Sequence, residues 1–573
     1  MPVAGWMTGN LGKSWQVIPI GVAFLLLFSS CSGGSSSVAE DRFYFRDVAA
    51  ASGLSFTHLN GAEGRLYLPE IMGAGGALFD YDLDGDLDVY LCQGGPLEPS
   101  LRPPGSPQGG QLFQNQLVQT GQLRFVNVTQ TAGIQSNAYG MGAAVGDVDN
   151  DGYPDLYLTN FGPNQLWRNL GDGTFEEITA ASGTGDDRWS VSATFVDVDR
   201  DGWQDLFVVN YVDFTLKTHK DCFHGQRDYC HPDSYAPEPD LLLRNRGDGT
   251  FENLTGSSRV ATAFGNGLGV VAGDFDQNGW LDIFVANDAN ANQIWMNQGS
   301  FSFTESALLA GAALNHAGHA ESGMGVVAAD LNGDLNEDLF LTHLTGQTNT
   351  LYLNDGQGNF EDRTIRSGLA SPSTPFTGFG AGAIDVDNDG WLDLVVVNGT
   401  VTAVPGLQKD PFPYHQTDQF FRNLGEGRFV DESTAAGFHR SEVGRGTLFG
   451  DIDNDGDVDF VINNNNGPAR LMLNQIGQDS TWIGLSLDPG NGSFSALGAW
   501  VLVETSAGRK IGRRVSAGSS YASSNDPRVI VGLGAMDTGS CKVTVAWVDG
   551  TLSHWENLSV REWHNLRRGE GAP

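Results

Sequence analysis

The chain has 573 residues, with 32 Lys+Arg against 69 Asp+Glu and a formal net charge of −37. That balance excludes a nucleic-acid binder, which needs a basic footprint, and an aromatic content of 10% excludes a disordered acidic tail. Glycine, at 77 residues, is far above its usual share of about 7% and predicts many tight turns between short strands.

The N-terminus reads as a targeting segment. Lys13 supplies a positive start, and Val17–Phe28 is an apolar run too short to span a bilayer comfortably. Phe28-Ser29-Ser30-Cys31 follows, and then the Gly/Ser-rich stretch Ser32–Ser37. Small residues directly before a Cys resemble a bacterial lipobox, although Phe28 stands where Leu is usual. The resemblance implies export, cleavage before Cys31, lipidation of Cys31 and membrane attachment only through that lipid, in the outer membrane if the host has one. The alternatives are an ordinary signal peptide and a short anchor helix. Residues 1–30 are read as a lipoprotein signal peptide and residues 31–42 as a linker.

From Phe43 to Asn474 one unit recurs seven times. Its mark is the string D-x-D-x-[DN]-G-x-x-D. The oxygen-bearing residues are Asp80, Asp82, Asp84 and Asp88, then Asp147, Asp149, Asp151 and Asp155, then Asp197, Asp199, Asp201 and Asp205. They continue as Asp274, Asp276, Asn278 and Asp282, then Asp330, Asn332, Asp334 and Asp338. The last two sets are Asp385, Asp387, Asp389 and Asp393, then Asp451, Asp453, Asp455 and Asp459. The fifth copy has Leu335 where Gly is expected. Each copy follows a Phe-led strand, at Phe43, Phe125, Phe175, Phe251, Phe303, Phe360 and Phe429. Each precedes an apolar segment ending in Asn, at Asn115, Asn169, Asn245, Asn297, Asn354, Asn423 and Asn474.

Oxygen ligands at the first, third, fifth and ninth positions suit a hard cation, and Gly at the sixth permits the sharp turn that gathers them. An EF-hand would place Glu at the twelfth position, leading into a helix. Here that position holds Leu91, Leu158, Val208, Val285, Leu341, Val396 and Ile462, inside apolar strand-like runs. The expected cofactor is therefore Ca2+ in β-hairpin loops, up to seven ions, with the fifth loop the weakest. Units of about four strands predict an all-β fold, a seven-bladed β-propeller over residues 43–474. An open β-solenoid is the alternative, but its units are usually half this length or less.

Three connections after the loop strands are long: Gln93–Gln111, Tyr211–Asp240 and Gly399–Asp418. Successive hairpins of a meander point to opposite faces, so the insertions are expected on one face and the metal loops on the other. The middle insertion carries Tyr211, Phe214, His219, Phe223, His224, Tyr229, His231 and Tyr235 and reads as a ligand surface. The alternative is a plug over a central channel. In an exported chain Cys222 and Cys230 are expected to form a disulfide. A zinc site from Cys222, His224, Cys230 and His231 is the competing reading, although the spacing matches no common finger. Deletion of Lys217–Tyr235 is expected to leave the fold intact. His316-Ala-Gly-His319-Ala-Glu321 is a further possible metal cluster, read here as a polar loop, and the sequons at Asn127, Asn253, Asn398, Asn491 and Asn557 are read as incidental.

Residues 481–568 are read as a small C-terminal β-domain, with alternating runs such as Lys542-Val-Thr-Val-Ala-Trp547. The loops resemble the FG-GAP/VCBS repeats of integrin α-chain propellers and many bacterial surface proteins. Leu68-Pro-Glu70-Ile-Met72-Gly-Ala-Gly-Gly and Cys222…Cys230-His-Pro resemble the cartilage acidic protein family. Leu497-Gly498-Ala499, Gly518-Ser-Ser-Tyr521-Ala-Ser-Ser-Asn525-Asp526-Pro527, Gly532-Leu533-Gly534 and Trp547-Val-Asp-Gly550 resemble the ASPIC/UnbV domain, with Ser524 in place of the usual Gln. The resemblance implies the architecture and leaves the biochemistry open.

No G-x-S-x-G elbow, H-E-x-x-H or P-loop occurs, so the chain is read as a non-enzyme. The expected role is a cell-envelope binding or adhesion protein for a protein or glycan. A polysaccharide-active propeller enzyme or its accessory subunit is the competing class. Tyr521 and Trp547 are the next aromatics for a ligand if the insertions do not bind one.

Overall fold

The computed structural model describes residues 43–98, 109–223, 225–403, 413–535 and 539–572. The targeting segment, Cys31 and the linker lie outside the described residues. The fold is all-β and propeller-like. Among the described residues seven sheets follow one another along the chain, each with four antiparallel strands, the first of them extended by a fifth, parallel strand from the C-terminal domain. In the second, strands Tyr139–Gly146, Asp155–Phe161, Gln165–Asn169 and Phe175–Glu177 form a simple meander. The D-x-D loop joins the first strand to the second, and the variable connection joins the second to the third. Central strands such as Asp205–Asn210 are buried on both faces, which is why they read as unbroken apolar runs.

The seventh sheet is completed from the other end of the chain. Its outermost strand is Phe45–Asp47, paired with Arg470–Asn474 in the register Phe45↔Asn474. That register repeats Asn115↔Phe125 and Asn423↔Phe429 of other sheets. Phe45 rather than Phe43 is therefore the counterpart of the other leading phenylalanines, and Phe43 stays exposed. The sequence unit that starts at a Phe and ends at an Asn straddles two sheets.

The first strands of the sheets pack on one another in order. Gly76–Phe79 touches Tyr139–Gly146, and contacts pass through Ser190–Val196, Gly267–Gly273, Val326–Ala329 and Gly378–Ile384 to Gly444–Gly450, which returns to Gly76–Phe79.

The C-terminal domain is two sheets around one core. Thr481–Asp488 lies between Val529–Gly534 and Trp563–Arg567, and Trp500–Thr505 and Ser540–Ala546 form the centre of a four-stranded sheet. Ile483, Leu485, Val501, Val503, Val531, Val543 and Val545 fill the space between them.

The connection from Ser516 to Asp526 leaves this domain and enters the space between the first strands of the seven sheets. Ser523–Ser524 adds in parallel to Gly76–Ala77 of the first sheet. The Val145 amide of the second donates to Ser524 Oγ at 3.2 Å, and Ser192 Oγ of the third accepts the Ala522 amide at 3.0 Å. Ser520 exchanges backbone hydrogen bonds with Val326 of the fifth at 2.8 and 3.1 Å. Ser520 Oγ accepts the Ala381 amide of the sixth at 3.1 Å, and Asn525 Oδ1 accepts the Phe449 amide of the seventh at 3.0 Å. Such close approach needs glycine: a Cβ on Gly142 would sit 2.7 Å from Ala522 O, and one on Gly446 would sit 2.8 Å from Ser523 Oγ.

Tyr521 at the tip of this segment is fully buried and donates to Met72 O at 2.8 Å, and Trp547 is also buried. Neither is available as an exposed ligand platform, because each serves the core. Among the described residues no helix is long and apolar enough to cross a membrane.

Candidate metal loops

All seven D-x-D loops fold alike. Their fourth and sixth residues both have positive φ, for example Leu83 at 58° with Gly85 at 95°, and Asn388 at 53° with Gly390 at 93°. In the fifth loop the residue types exchange places: Gly333 has φ 81° and Leu335 has φ 72°. The conformation is thus kept without the expected glycine, at a steric cost for Leu335.

The carboxylates build each turn. The first Asp accepts the amide of the sixth residue in every loop, as in Gly85 to Asp80 at 2.9 Å and Leu335 to Asp330 at 2.9 Å. The fifth residue accepts the amide of the seventh, as in Tyr153 to Asp151 at 2.9 Å and Trp280 to Asn278 at 2.7 Å. The ninth Asp accepts two amides. Asp88 takes Tyr81 at 3.1 Å and Asn115 at 2.8 Å, and Asp155, Asp205, Asp282, Asp338, Asp393 and Asp459 do the same with their equivalents.

The Asn that ends each unit has two jobs. Its amide meets the ninth Asp of its own loop, and its side chain donates to the second residue of the preceding loop. Asn169 reaches Tyr81 O at 2.7 Å, Asn245 reaches Val148 O at 2.9 Å and Asn297 reaches Val198 O at 2.9 Å. Asn354, Asn423 and Asn474 reach Phe275 O, Leu331 O and Val386 O. Asn115 of the first unit reaches back to Ile452 O of the seventh at 3.1 Å. The recurrence of this Asn is visible in the sequence, but its link to a neighbouring loop is not.

Several loops could hold a cation. Ligand atoms of Asp80, Asp82 and Asp88 lie within 4.8 Å of one another, and so do those of Asp147, Asp149 and Asp155. Asp197, Asp199 and Asp205 form a third such group, Asp274, Asp276 and Asp282 a fourth, and Asp385, Asp387 and Asp389 a fifth. Buried oxygens without a partner point the same way: Oδ1 of Asp82, Asp149, Asp197, Asp274 and Asp453. Burial, reinforced by neighbouring carboxylates, pushes Asp80, Asp147, Asp197 and Asp451 up to about 7. Such a donor set fits a hard, oxygen-seeking cation.

The C-terminal domain covers this loop face. The Phe494 amide donates to Asp147 Oδ2 at 3.2 Å, and Asn491 donates to Gly202 O at 2.9 Å. Arg509 donates to Asp389 O at 2.5 Å and Arg528 to Asp451 O at 3.2 Å. Arg514 pairs with the buried Glu337, which also accepts the Asp274 amide at 3.2 Å.

The insertions build the opposite side. Cys222 and Cys230 are joined as a disulfide, which consumes the thiols a zinc site would need, and His224 lies outside the described residues. Of the aromatics expected to face a ligand, Tyr211, Phe214, Tyr229 and Tyr235 are instead buried in one cluster with Tyr67, Ile71, Met72, Phe379, Tyr414 and Tyr521. Phe223 remains exposed. Tyr229 donates to Glu70 at 3.2 Å, and Asp228 accepts Tyr414 at 3.1 Å and the Ala403 amide at 2.9 Å. The middle insertion is thus a packed lid rather than a dispensable loop, so deleting Lys217–Tyr235 would uncover part of the core. Arg445 lies beneath it, fully buried, 3.8 Å over the Phe379 ring and donating to Ile71 O and Gly399 O; burial lowers it to about 9. The His316–Glu321 segment does not gather a site. His316 faces Asp362, and Glu321 accepts Thr350 at 3.0 Å.

Comparison with known proteins follows this layout. The FG-GAP-like repeat description matches residues 80–158, 147–208, 233–285, 274–341 and 330–396, together about half of the chain. The ASPIC and UnbV description matches residues 490–573. Cartilage acidic protein 1 of Mus musculus is 28% identical over 298 residues, covering 50% of this chain and 42% of that protein. Its Homo sapiens counterpart is 26% identical over 327 residues, covering 55% and 46%. The matched stretch is less than half the length of either relative. Among solved structures, an Agrocybe aegerita lectin that recognises non-reducing terminal N-acetylglucosamine aligns at a TM-score of 0.36 with 15% identity, covering 70% of this chain and 92% of that one. A score that low carries no argument.

Proposed function

The chain belongs to the FG-GAP-like repeat family and carries an ASPIC and UnbV domain, and on that premise we propose that it is a calcium-stabilised, seven-bladed propeller acting as an exported cell-envelope binding or adhesion protein. The observation that carries the metal half is the set of buried, unpartnered carboxylate oxygens repeated from loop to loop. Each would otherwise leave charge in a poorly solvated place. The side-chain amide chain that passes from unit to unit and returns from Asn115 to Ile452 supports the blade count. Export and a lipid anchor at Cys31 rest on the sequence pattern alone. The partner is a protein or glycan, reached through surface that neither the lid nor the C-terminal domain covers.

Calcium here is a folding cofactor. When bound it supplies positive charge to the loop oxygens, and the protein's own amides hold those oxygens in place. Affinities near 10⁻⁴–10⁻³ M are expected for extracellular sites. At a tenfold excess over Kd, which millimolar Ca2+ gives the tighter of such sites, each adds about 1.4 kcal/mol. The test is a calorimetric melt of the full chain in chelator and in millimolar Ca2+. A lower melting temperature in chelator is expected, and equal temperatures would overturn the metal reading.

A further inference from the structure

The lid side holds a cavity of about 190 Å³. Its walls are largely apolar, with Ile71, Met72, Tyr211, Tyr229 and Phe379 among them. One group departs from that character. Asp288, directly after the fourth sheet's strand Asp282–Asn287, lines the same space and is only 6% exposed. Its Oδ2 accepts the Tyr211 hydroxyl at 2.6 Å and the Ser322 side chain stands beside the carboxylate, but the buried Oδ1 accepts no hydrogen bond of normal geometry. No Lys or Arg within the described residues forms an ion pair with it. His231, exposed at the cavity wall, lies 3.4 Å from Asp233 and, when protonated, also favours the charged form of Asp288.

A carboxylate with one open oxygen among apolar walls is costly unless a cation completes it. The rings of Tyr211 and Tyr229 around the same space favour an organic cation, because their faces attract positive charge, whereas the Phe379 ring already carries Arg445. The chain's overall charge of −37 draws cations towards it as well. A cavity of about 150 Å³ accommodates a benzene ring, so this one has room for a single small ring or a short branched chain.

We propose that this cavity binds a small organic ammonium ion, with the ammonium group on Asp288 and the hydrocarbon against the aromatic walls. The site is independent of the metal loops, which lie across the molecule from it. It also gives the stapled insertion a use, because Tyr229, Cys230 and His231 of that insertion form part of the cavity wall.

The experiment is calorimetric titration of the full chain with cyclohexylammonium and with cyclohexanol, which share a ring and differ in charge. An apolar hole with no carboxylate would favour the alcohol, since the ammonium ion is harder to strip of water. Saturable binding of the amine, at least tenfold tighter than the alcohol, is expected. Asp288→Asn should weaken the amine tenfold or more and change the alcohol by less than threefold. Absence of saturable amine binding, an alcohol that binds as tightly as the amine, or an Asp288→Asn chain that binds the amine undiminished would each overturn the site. The amine-against-alcohol comparison needs no variant, so it decides the question even if Asp288→Asn fails to fold.

Discussion

The loop face and the lid face of the seven-sheet body are built by opposite means. On the loop face one arrangement is used seven times, and the first Asp of each loop has six counterparts that accept the same amide. On the lid face nothing repeats: the insertions differ in length, and Glu70, Asp288 and Arg445 each occupy surroundings found once. Repetition spreads a task over many equivalent groups. A structure made once concentrates it, so single substitutions should be most damaging on the lid.

That contrast is sharpest at Tyr229. Truncation to Ala would empty a buried aromatic site and should lower stability by about 3–5 kcal/mol in chemical denaturation. Tyr229→Phe keeps the ring, drops the hydrogen bond to Glu70 and should cost about 1 kcal/mol. The two variants also differ in pH response. Burial raises Glu70 from 4.5 to about 7, with the Tyr229 hydroxyl opposing the rise. The folded chain therefore keeps a proton that the unfolded chain releases, so this group's contribution to stability falls as pH rises from about 4.5 to 7. Tyr229→Phe should carry that fall to higher pH, and an unchanged upper end of the fall would show that the hydroxyl does not govern Glu70.

On the loop face the middle-sized effect belongs to the bridging asparagines. Asn297→Ala leaves buried Val198 O and Leu281 O without their donor and should cost about 1–3 kcal/mol. Asn169→Ala removes the same pair of contacts at Tyr81 O and Pro154 O and should cost the same. Urea unfolding curves that separate the two by more than the single-site range would break the equivalence of the seven units. The smallest effect should be a gain. Leu335→Gly relieves a left-handed leucine, worth about 1–2 kcal/mol before glycine's own entropy is counted, for a net near 1 kcal/mol. A melting temperature that falls in this variant would mean that Leu335 is held by contacts its backbone strain does not reveal.

The same contrast explains what could be read in advance. The D-x-D loops, the hairpin strands behind them and the side on which the insertions gather follow from local spacing, because turn chemistry and strand alternation act over a few residues. The offset between sequence unit and sheet was hidden, since Phe43 and Phe45 are both aromatic and only long-range pairing with Asn474 separates them. The lid aromatics misled for a related reason. A Tyr in a long loop looks available to a ligand, and only the packing of residues far apart in sequence shows it to be core. Asp288 and Arg445 carried no local mark at all, because the groups around them, Tyr211 for one and Ile71, Gly399 and Phe379 for the other, come from distant parts of the chain.

The descent of Ser516–Asp526 into the middle of the body bears on ancestry. Repeat arrays gain and lose copies by duplication and slippage, and each copy contacts mainly its neighbours. Here a strand from a different domain contacts six of the seven sheets at set addresses, from Gly76 to Phe449. A lineage that dropped or added one unit would present those addresses at the wrong angles. Copy number in this chain is thereby tied to the C-terminal domain, and the two halves are constrained to change together.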